Sequence, residues 1–340
     1  MPSPTSQLKV VFGTMTFGEE GAEQSRVHDL KDCKAILDIV AAHGHTELDT
    51  ARMYGFGSSE EYLQKLGVTV PGNPQGFKIA TKVFPSARNR NIPAKDKYTF
   101  EPEDIELALS RSLQALGTDK IDLYYLHSPD RQVDLKKTLG AINDAHKAGK
   151  FERFGVSNYR ADEVEEMVRI ADENGWVKPS VYQGLYNAIT RSAEAELFPV
   201  LRKHGISYYA YNPLGGGFFT GAFSKDSTVE KGSRFDPDRA QGQSYRNRYW
   251  NDNYFNALDQ LRPVAEQHGL TLSEIALRWI VHHSQLKQNL GDAAIIGASS
   301  TKHIENNLID LEKGSLPDPV VQAVENAWEL VKPNAPAYHH

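Results

Sequence analysis

The sequence lacks a second cysteine and any long apolar stretch, which excludes proteins with intrachain disulfides and argues against membrane-spanning ones. Because Cys33 is alone, no intrachain disulfide can form, and a reducing compartment such as the cytoplasm is expected. The opening residues, MPSPTSQLKV, lack the charged segment and the apolar segment that a signal peptide combines. No stretch approaches the roughly 18 apolar residues of a membrane span. We therefore expect a cytoplasmic protein that does not associate with membranes.

An excess of basic residues is also missing. The chain has 38 Lys and Arg against 44 Asp and Glu, a formal net charge of −6, which argues against a surface for nucleic acid or anionic lipid. No serine stands in a nucleophile elbow and no spacing of His and Cys indicates zinc, so we expect no metal and assign none to His339 and His340. With 340 residues, 40% of them hydrophobic, the chain can form one large α/β domain or two smaller ones.

What the sequence does contain is an alternation of short β-rich runs with amphipathic helical segments. Several runs are almost continuously apolar, as parallel strands covered on both faces are. Cys33 lies on the apolar face of one helical segment, residues 33–40, and is expected to pack in the core rather than to act as a reactive thiol. Eight runs predict strands, over residues 9–15, 46–50, 77–83, 121–127, 152–157, 180–186, 206–212 and 293–299.

Eight strands that alternate with helices predict a (β/α)8 TIM barrel, with residues 1–340 as one domain. A doubly wound sheet is the alternative, but it calls for Gly-x-Gly-x-x-Gly after the first strand, where this chain has GTMTFGEE. Two additions to a minimal barrel are expected. Residues 213–253, rich in Gly, Asp, Arg and Asn, form a long loop after the seventh strand, and a further helix covers about 318–332.

Four ionisable residues follow or end three consecutive predicted strands. In a barrel of this kind, catalytic groups lie at the carboxyl ends of the strands. Each residue alone has a structural explanation, as a helix cap, a loop aromatic, a solvated strand end or a core histidine. Together they predict one site on one rim. The four are Asp49 and Tyr54 after strand two, Lys82 in strand three and His127 after strand four.

This set of side chains suits an acid that protonates an oxygen as it gains negative charge, as when hydride adds to a carbonyl. A phenol with a pKa near 10 is a poor acid unless a cation favours its ionised form, and Lys82 is expected to supply that charge to Tyr54. Asp49 would hold the ammonium in place. His127 would hydrogen-bond the substrate oxygen and orient it.

The stretch ELDTARMYGFGSSE contains part of a dinucleotide-binding pattern, but we interpret its glycines differently. Glu60 stands where the third glycine of that pattern would be, and the stretch follows strand two rather than strand one. Ser58 and Glu61 have the spacing of a capping box that starts the next helix. Gly55 and Gly57 are therefore expected to form a turn that supports Tyr54.

These residues and motifs resemble the aldo-keto reductase superfamily from the first strand to the C-terminal helix. FGTMTFG, GVSNY, YNPLGGGFFTG, SYRNRYW and LRWIVHHSQL are similar to its aflatoxin-aldehyde reductase branch. The resemblance implies that Tyr54 is the general acid of a tetrad with Asp49, Lys82 and His127. It also implies NADPH-dependent reduction of aldehydes and ketones to alcohols, a small-molecule carbonyl substrate and, by analogy only, a possible homodimer.

The resemblance further implies a set of binding residues. Ser157, Asn158 and Gln183 would hold the nicotinamide carboxamide, with Asp49 beside them, and Tyr211 would stack on the nicotinamide ring. Tyr54, His127 and Tyr245 would contact the substrate. The loop after strand seven would wrap the pyrophosphate through Asn212, Pro213, Leu214, Gly216 and Arg234. The segment GASSTKHIENN would bind the adenosine part through Gly297, Ser299, Ser300, His303 and Asn307.

The chain departs from the wider superfamily at two places. Gly297 and His303 stand where many members have Lys and Arg for the 2′-phosphate; the branch lacks them too, so NADPH is still expected, with a larger part for Arg234. The branch typically ends in an Arg that binds acidic substrates, and here His340 leaves a preference for carboxylate-bearing aldehydes in doubt.

Two alternatives to a reductase remain open at this stage. NADPH-binding sensor subunits share the fold, but they carry an extension ahead of the barrel, whereas this chain reaches its first predicted strand by Lys9. A lyase or isomerase on the same barrel would leave the cofactor motifs unexplained.

Overall fold

A computed structural model describes residues 6–70, 72–89 and 92–340. Within them, parallel strands form a closed barrel in the order of the sequence, so the predicted (β/α)8 TIM barrel is confirmed, and each predicted run overlaps a strand. That residues 1–340 form one domain stays a prediction. The strands are β1 (Lys9–Gly13), β2 (Glu47–Asp49), β3 (Lys78–Val83), β4 (Ile121–Leu126), β5 (Phe151–Ser157), β6 (Val181–Leu185), β7 (Ser207–Tyr211) and β8 (Ala293–Ile296).

The helices begin and end where local sequence signals favour it. The Asp29 side chain accepts a hydrogen bond from Lys31 N at the start of the first helix, and Gly117, at φ 63°, ends the third. None of the described helices is long and apolar enough to cross a membrane. The helices are α1 (Leu30–Ala42), α2 (Ser58–Lys65), α3 (Pro102–Leu116), α4 (Leu135–Lys147), α5 (Ala161–Asn174), α6 (Leu197–Lys203), α7 (Ala240–Tyr249), α8 (Asp252–Gln267), α9 (Leu272–His282), α10 (Thr301–Glu312) and α11 (Asp318–Val331).

Apolar residues pack in two places, between the strands and the helices and inside the barrel. The larger cluster includes Cys33, which is fully buried in α1 as predicted, and burial raises the pKa of its thiol to about 12. The smaller cluster consists of strand residues only, among them Leu123 and Tyr125. A Cβ on Gly155 would lie 2.4 Å from the Tyr125 ring, so this glycine makes room for a tyrosine in the barrel interior.

The segment after β7 is more ordered than the predicted long loop of 213–253. It contains a short 3₁₀ turn (Gly215–Thr220) and α7, whose Tyr245 and Tyr249 are buried four residues apart. Their rings pack on Phe235 and Phe218, with centroids 5.9 and 6.0 Å apart. The polar residues between the two tyrosines hide this helical period in the sequence. The additional C-terminal helix is confirmed as α11.

Candidate active site

A cleft of about 840 Å³ opens at the carboxyl ends of the strands. Most of the residues that the sequence assigned to the site lie in its wall. Lys82 lies behind the wall with a fully buried side chain. The predicted residues that line the cleft are Asp49, Tyr54, His127, Ser157, Asn158, Gln183, Tyr211, Asn212, Arg234, Tyr245 and Gly297.

Lys82 is at the centre of the polar contacts below the cleft. Its Nζ donates to Asp49 Oδ2 at 2.6 Å and to the Thr50 carbonyl at 2.7 Å, and it lies 3.4 Å from the Tyr54 hydroxyl. The other oxygen of Asp49 accepts from Gln183 Nε2 at 2.8 Å. Burial lowers the pKa of Lys82, and the Asp49 carboxylate opposes that shift. The ammonium is therefore held by one short ion pair, and its contact with Tyr54 is the weakest of the three.

The electrostatics of Tyr54 differ from the sequence-based expectation that Lys82 would lower its pKa. Burial, and next the Asp49 carboxylate, raise the pKa of Tyr54 well above its ordinary value. The first physical reason is burial, which disfavours the phenolate; the second is that Asp49 lies closer to Lys82 than Tyr54 does and neutralises much of its charge. The phenol consequently keeps its proton in the free protein.

His127 lies beside the Tyr54 ring on the same rim. Its ring stands edge-on to the rings of Tyr54 and Phe84, with centroids 5.9 and 5.7 Å away. Burial, and then the charge of Lys82, lower the pKa of His127 well below its ordinary value, so the imidazole is neutral. Its Nδ1 is buried and has no hydrogen-bond partner among the described residues. A neutral imidazole carries one ring N–H, and because His127 lines the cleft it is able to donate a hydrogen bond to a substrate oxygen.

The opposite wall is built by the ends of β5, β6 and β7. Asn158 adopts φ 64°, and its Nδ2 donates to the His127 carbonyl and to Ser157 Oγ, both at 3.0 Å. Its Oδ1 accepts from the Tyr211 hydroxyl at 2.9 Å. These bonds fix a polar wall next to an aromatic ring, an arrangement able to hold an amide and the flat ring beside it.

The loop that follows β7 contains unsatisfied polar groups at the cleft. Asn212 adopts φ 59°, accepts from the Tyr245 hydroxyl at 3.0 Å, and leaves its buried Nδ2 without a partner among the described residues. Gly216 packs so closely on Tyr245 that a Cβ would lie 2.2 Å from that ring. Pro213 and Leu214 lie between these residues and do not line the cleft.

Arg26 is a residue near this loop that the sequence analysis missed. Among the described residues its guanidinium donates only to neutral groups, the Gln24 carbonyl at 2.9 Å and Gln241 Oε1 at 2.8 Å. Burial, and next the like charge of Arg234, lower its pKa to about 10. Arg234 lies 5.4 Å from the Tyr245 ring centroid and forms no ion pair within the described ranges. Two neighbouring guanidinium groups that form no ion pair in the described part of the chain fit an anion such as the pyrophosphate of a dinucleotide.

The segment after β8 meets the cleft only at its beginning. Gly297 lines the cleft, whereas Ser300 caps α10 by accepting from His303 N at 3.2 Å. The Ser299 hydroxyl lies 3.2 Å from the His303 ring, and Asn307 follows one turn further along the helix. The cofactor contacts expected of these five residues stay predictions.

The cleft also contains two residues with no predicted role in it, Arg248 and His340. The His340 ring lies 3.4 Å from the Arg248 guanidinium, and its backbone N–H donates to the Asn158 carbonyl at 3.1 Å. Burial, and next the charge of Arg248, lower the pKa of His340 to about 4. Arg248 forms no ion pair with any residue that the structure describes, so it is the available cation of this part of the cleft.

The predicted capping box at the start of α2 is wrong. Gly57 precedes the helix, and no side chain caps it. The Ser58 hydroxyl instead donates to the Gly55 carbonyl at 2.9 Å and closes the turn that carries Tyr54. The reason is that Gly55, Phe56 and Gly57 all have positive φ, which turns the chain so that Ser58 faces back onto it.

Comparison with known proteins gives consistent matches over most of the chain. A family model described as the Aldo/keto reductase family matches residues 9–329. An aldo-keto reductase of Pseudocercospora fijiensis is 46% identical over 304 residues, which are 89% of this chain and 99% of that protein. An aldo-keto reductase of Monascus ruber is 39% identical and covers 99% of both chains. The human aflatoxin B1 aldehyde reductase member 2 is 39% identical over 98% of this chain and 90% of its own.

Proposed function

The chain belongs to the aldo/keto reductase family and is an oxidoreductase acting on carbonyl groups and their alcohols, and we propose that it reduces aldehydes and ketones with NADPH. The observation that carries this proposal is that the Tyr54 and His127 rings meet edge-on at one point of the cleft, with centroids 5.9 Å apart. When bound, the reduced nicotinamide supplies the hydride. The residues of this chain then have to bind and polarise the carbonyl and deliver one proton.

Tyr54 would deliver the proton to the carbonyl oxygen from its hydroxyl. The rise in pKa keeps the phenol protonated in the free protein, and Lys82 limits the free energy needed to form the phenolate during the reaction. Lys82 Nζ lies 3.4 Å from the phenol oxygen and 4.8 Å from the ring centroid. Asp49 keeps the ammonium at that place. Tyr54, Lys82 and Asp49 thus form one unit in which only the tyrosine reaches the substrate.

His127 would orient the carbonyl by donating a hydrogen bond from its neutral ring. A charged imidazolium would be a competing acid, and its lowered pKa excludes that form at neutral pH. Tyr245, across the cleft, would form part of the substrate wall. The carbonyl carbon is then presented toward Tyr211 and the ends of β5 and β6.

The cofactor would lie extended across the mouth of the barrel. Ser157, Asn158 and Gln183 would bind the carboxamide. Arg26 and Arg234, together with the unpaired amide of Asn212, would bind phosphate oxygens. NADPH differs from NADH only in its 2′-phosphate, and binding that group would also fall to Arg234, as expected from the sequence. A cytoplasmic location and a homodimer remain predictions from composition and analogy.

Two relatives named as aldo-keto reductases and a third named as an aldehyde reductase favour the enzyme over a sensing subunit. The direct test is to follow NADPH and NADH oxidation with a panel of aldehydes, ketones and dicarbonyls, including 4-nitrobenzaldehyde. We expect turnover with NADPH, and we expect Tyr54→Phe to lower kcat by roughly 100- to 10,000-fold while NADPH still quenches tryptophan fluorescence. Full activity in Tyr54→Phe would refute the acid assignment, and no turnover of any carbonyl would favour the sensor.

A further inference from the structure

The turn that carries Tyr54 has an unusual backbone. Gly55, Phe56 and Gly57 follow one another at φ 54°, 53° and 97°. The left-handed region is unfavourable for a residue with a side chain such as Phe56, so the surrounding structure must hold the turn in this shape. The neighbours Met53 and Phe56 line the cleft together with Tyr54. The turn begins at Tyr54 itself, so its shape helps to determine where the tyrosine lies.

The side chain of Arg52 lies directly beneath the turn. Its Nη2 donates to the Phe56 carbonyl at 3.2 Å, and its Nη1 donates to Glu60 Oε2 at 2.6 Å. A Cβ on Gly57 would lie 1.7 Å from Nη2, so the guanidinium occupies the space that any other residue at this position would need. Arg52 thus joins the strained part of the turn to a carboxylate on α2.

Glu60 in turn joins the turn to the strand that carries Lys82. Its side chain is fully buried, and its Oε1 accepts from Thr81 Oγ1 at 2.7 Å. Thr81 directly precedes Lys82 in β3, and the backbone N–H of Arg52 donates to the Lys82 carbonyl at 3.1 Å. Burial raises the pKa of Glu60 against the opposing charge of Arg52. The contacts run without a break from β3 through Glu60 and Arg52 to the Phe56 carbonyl.

We propose that Arg52 and Glu60 are a positioning pair that sets the Tyr54 hydroxyl relative to Lys82 Nζ. Neither side chain lines the cleft, so neither contacts substrate or cofactor. The inference rests on the proposed role of Tyr54 as the proton donor. Because proton transfer depends on distances within a few tenths of an ångström, a relaxed turn would lower kcat and leave ground-state binding unchanged.

The test uses Arg52→Met and Glu60→Gln in the full chain, with 4-nitrobenzaldehyde as substrate. For Arg52→Met we expect kcat to fall about 10- to 100-fold, with KM and the Kd for NADPH within about twofold of wild type. Glu60→Gln keeps the shape of the side chain and should lose about fivefold in kcat, since a neutral amide still contacts Arg52. Arg52→Lys restores the charge and one hydrogen bond, so it should recover part of the kcat lost in Arg52→Met.

A second ion pair, partly buried and at the other end of the barrel, serves as the matched control. Arg202 donates to both oxygens of Asp292, at 2.9 and 2.6 Å, and Asp292 is fully buried just before β8. Arg202→Met should lower the melting temperature much as Arg52→Met does, without changing kcat. A wild-type kcat in both Arg52→Met and Glu60→Gln, or an equal loss in Arg202→Met, would overturn the proposal.

The outcome with Tyr54→Phe separates this inference from the proposed function. If Tyr54→Phe is inactive while Arg52→Met retains full kcat, the positioning role alone fails. If Tyr54→Phe is fully active, the acid assignment fails first. Should Arg52→Met not fold, kcat of Glu60→Gln and of Arg52→Lys is compared with that of wild type instead. Both variants retain a polar side chain at the substituted position, so the pair keeps a polar contact.

Discussion

The two ends of the barrel interior hold the same kinds of residue, a lysine, a carboxylate and a tyrosine, but the two tyrosines differ in their hydrogen bonding. The upper cluster lies below the cleft, at the carboxyl ends of the strands. The lower cluster fills the barrel interior at the amino ends of the strands. The upper cluster consists of Asp49, Tyr54 and Lys82. The lower cluster consists of Lys9, Glu47, Arg153 and Tyr209.

Every polar side chain of the lower cluster has a partner. The Tyr209 hydroxyl accepts from Lys9 Nζ at 2.9 Å and from Arg153 Nη1 at 3.1 Å, and it donates to Glu47 Oε2 at 2.9 Å. Burial lowers the pKa of Lys9, but Tyr209 and Glu47 outweigh it and the pKa is raised. A tyrosine with all of its hydrogen-bonding capacity in use has no free position for a substrate.

The upper cluster leaves capacity unused at the same kind of residue. The Tyr54 hydroxyl has only a 3.4 Å contact with Lys82, and the neighbouring His127 has a ring nitrogen without a partner among the described residues. Lys82 also differs from Lys9, because burial lowers its pKa whereas that of Lys9 is raised. The two clusters therefore cannot be distinguished by residue type. What distinguishes the reactive cluster from the structural one is that it has unsatisfied hydrogen-bonding groups next to an open cleft.

The largest expected contrast is between the two lysines. Lys82→Met removes the charge that stabilises the phenolate of Tyr54, so kcat for 4-nitrobenzaldehyde should fall roughly 100- to 10,000-fold. It also leaves the buried Asp49 without its cation, which should lower the free energy of unfolding by about 3 to 5 kcal/mol. Steady-state kinetics and urea unfolding measure both effects.

Lys9→Met is the control, expected to lower stability and retain kcat. Equal losses of kcat in the two variants would contradict the distinction between the clusters.

Some of this contrast is predictable from the sequence, and some is not. A barrel brings strand ends together, so Asp49, Lys82 and His127 were predictable once eight strands were recognised. The raised pKa of Tyr54 was not, because it depends on burial and on the short distance between Asp49 and Lys82. The sequence also gives no signal for Arg26, an isolated arginine in a loop whose position depends on the distant Gln241.

The support beneath Tyr54 was missed for a related reason. The spacing of Ser58 and Glu61 indicates a capping box, but spacing does not reveal the positive φ of Phe56 that turns Ser58 away. For Glu60, the sequence indicates only that the third glycine of the dinucleotide-binding pattern is absent. Its pairing with Arg52 depends on the path of the turn, which local sequence preferences do not determine.

The second prediction, with an effect of intermediate size, compares the arginines near the cleft with the arginine of the lower cluster. Arg26→Met and Arg234→Met should each raise the Kd for NADPH about 10- to 100-fold, since each removes a charged hydrogen-bond donor to phosphate. Fluorescence titration without substrate measures this directly. Arg153→Met removes a guanidinium that already has partners in the lower cluster, and the Kd should stay at the wild-type value. An unchanged Kd in both Arg26→Met and Arg234→Met would refute the phosphate role.

A smaller effect is expected at Arg248. This guanidinium, which forms no ion pair with a described residue, lies in the cleft beside His340, which is neutral at pH 7 because its pKa is about 4. Arg248→Met should lower kcat/KM for 4-carboxybenzaldehyde about 5- to 20-fold, with little change for 4-nitrobenzaldehyde. His340→Ala should change the ratio less, since it removes no charge. Equal losses for both aldehydes in Arg248→Met would show that the arginine has no part in recognising a carboxylate.

The smallest expected effect concerns the pH dependence of stability at the lower cluster. Burial opposes the ionisation of Glu47, but Lys9 and Arg153 outweigh it, so its pKa in the folded protein is below the ordinary value. A carboxylate whose pKa is lowered by folding contributes stability above its unfolded pKa and loses that contribution as pH falls through the folded pKa. The melting temperature of wild type should therefore exceed that of Glu47→Gln at pH 7, and the difference should shrink below about pH 4.5.

At pH 7 the variant should keep its kcat, because the cluster is at the amino ends of the strands. A difference in melting temperature between wild type and Glu47→Gln that stays constant from pH 7 to pH 3 would show that the ionised Glu47 contributes nothing to stability. A loss of kcat in the variant would show that the two ends of the barrel are coupled.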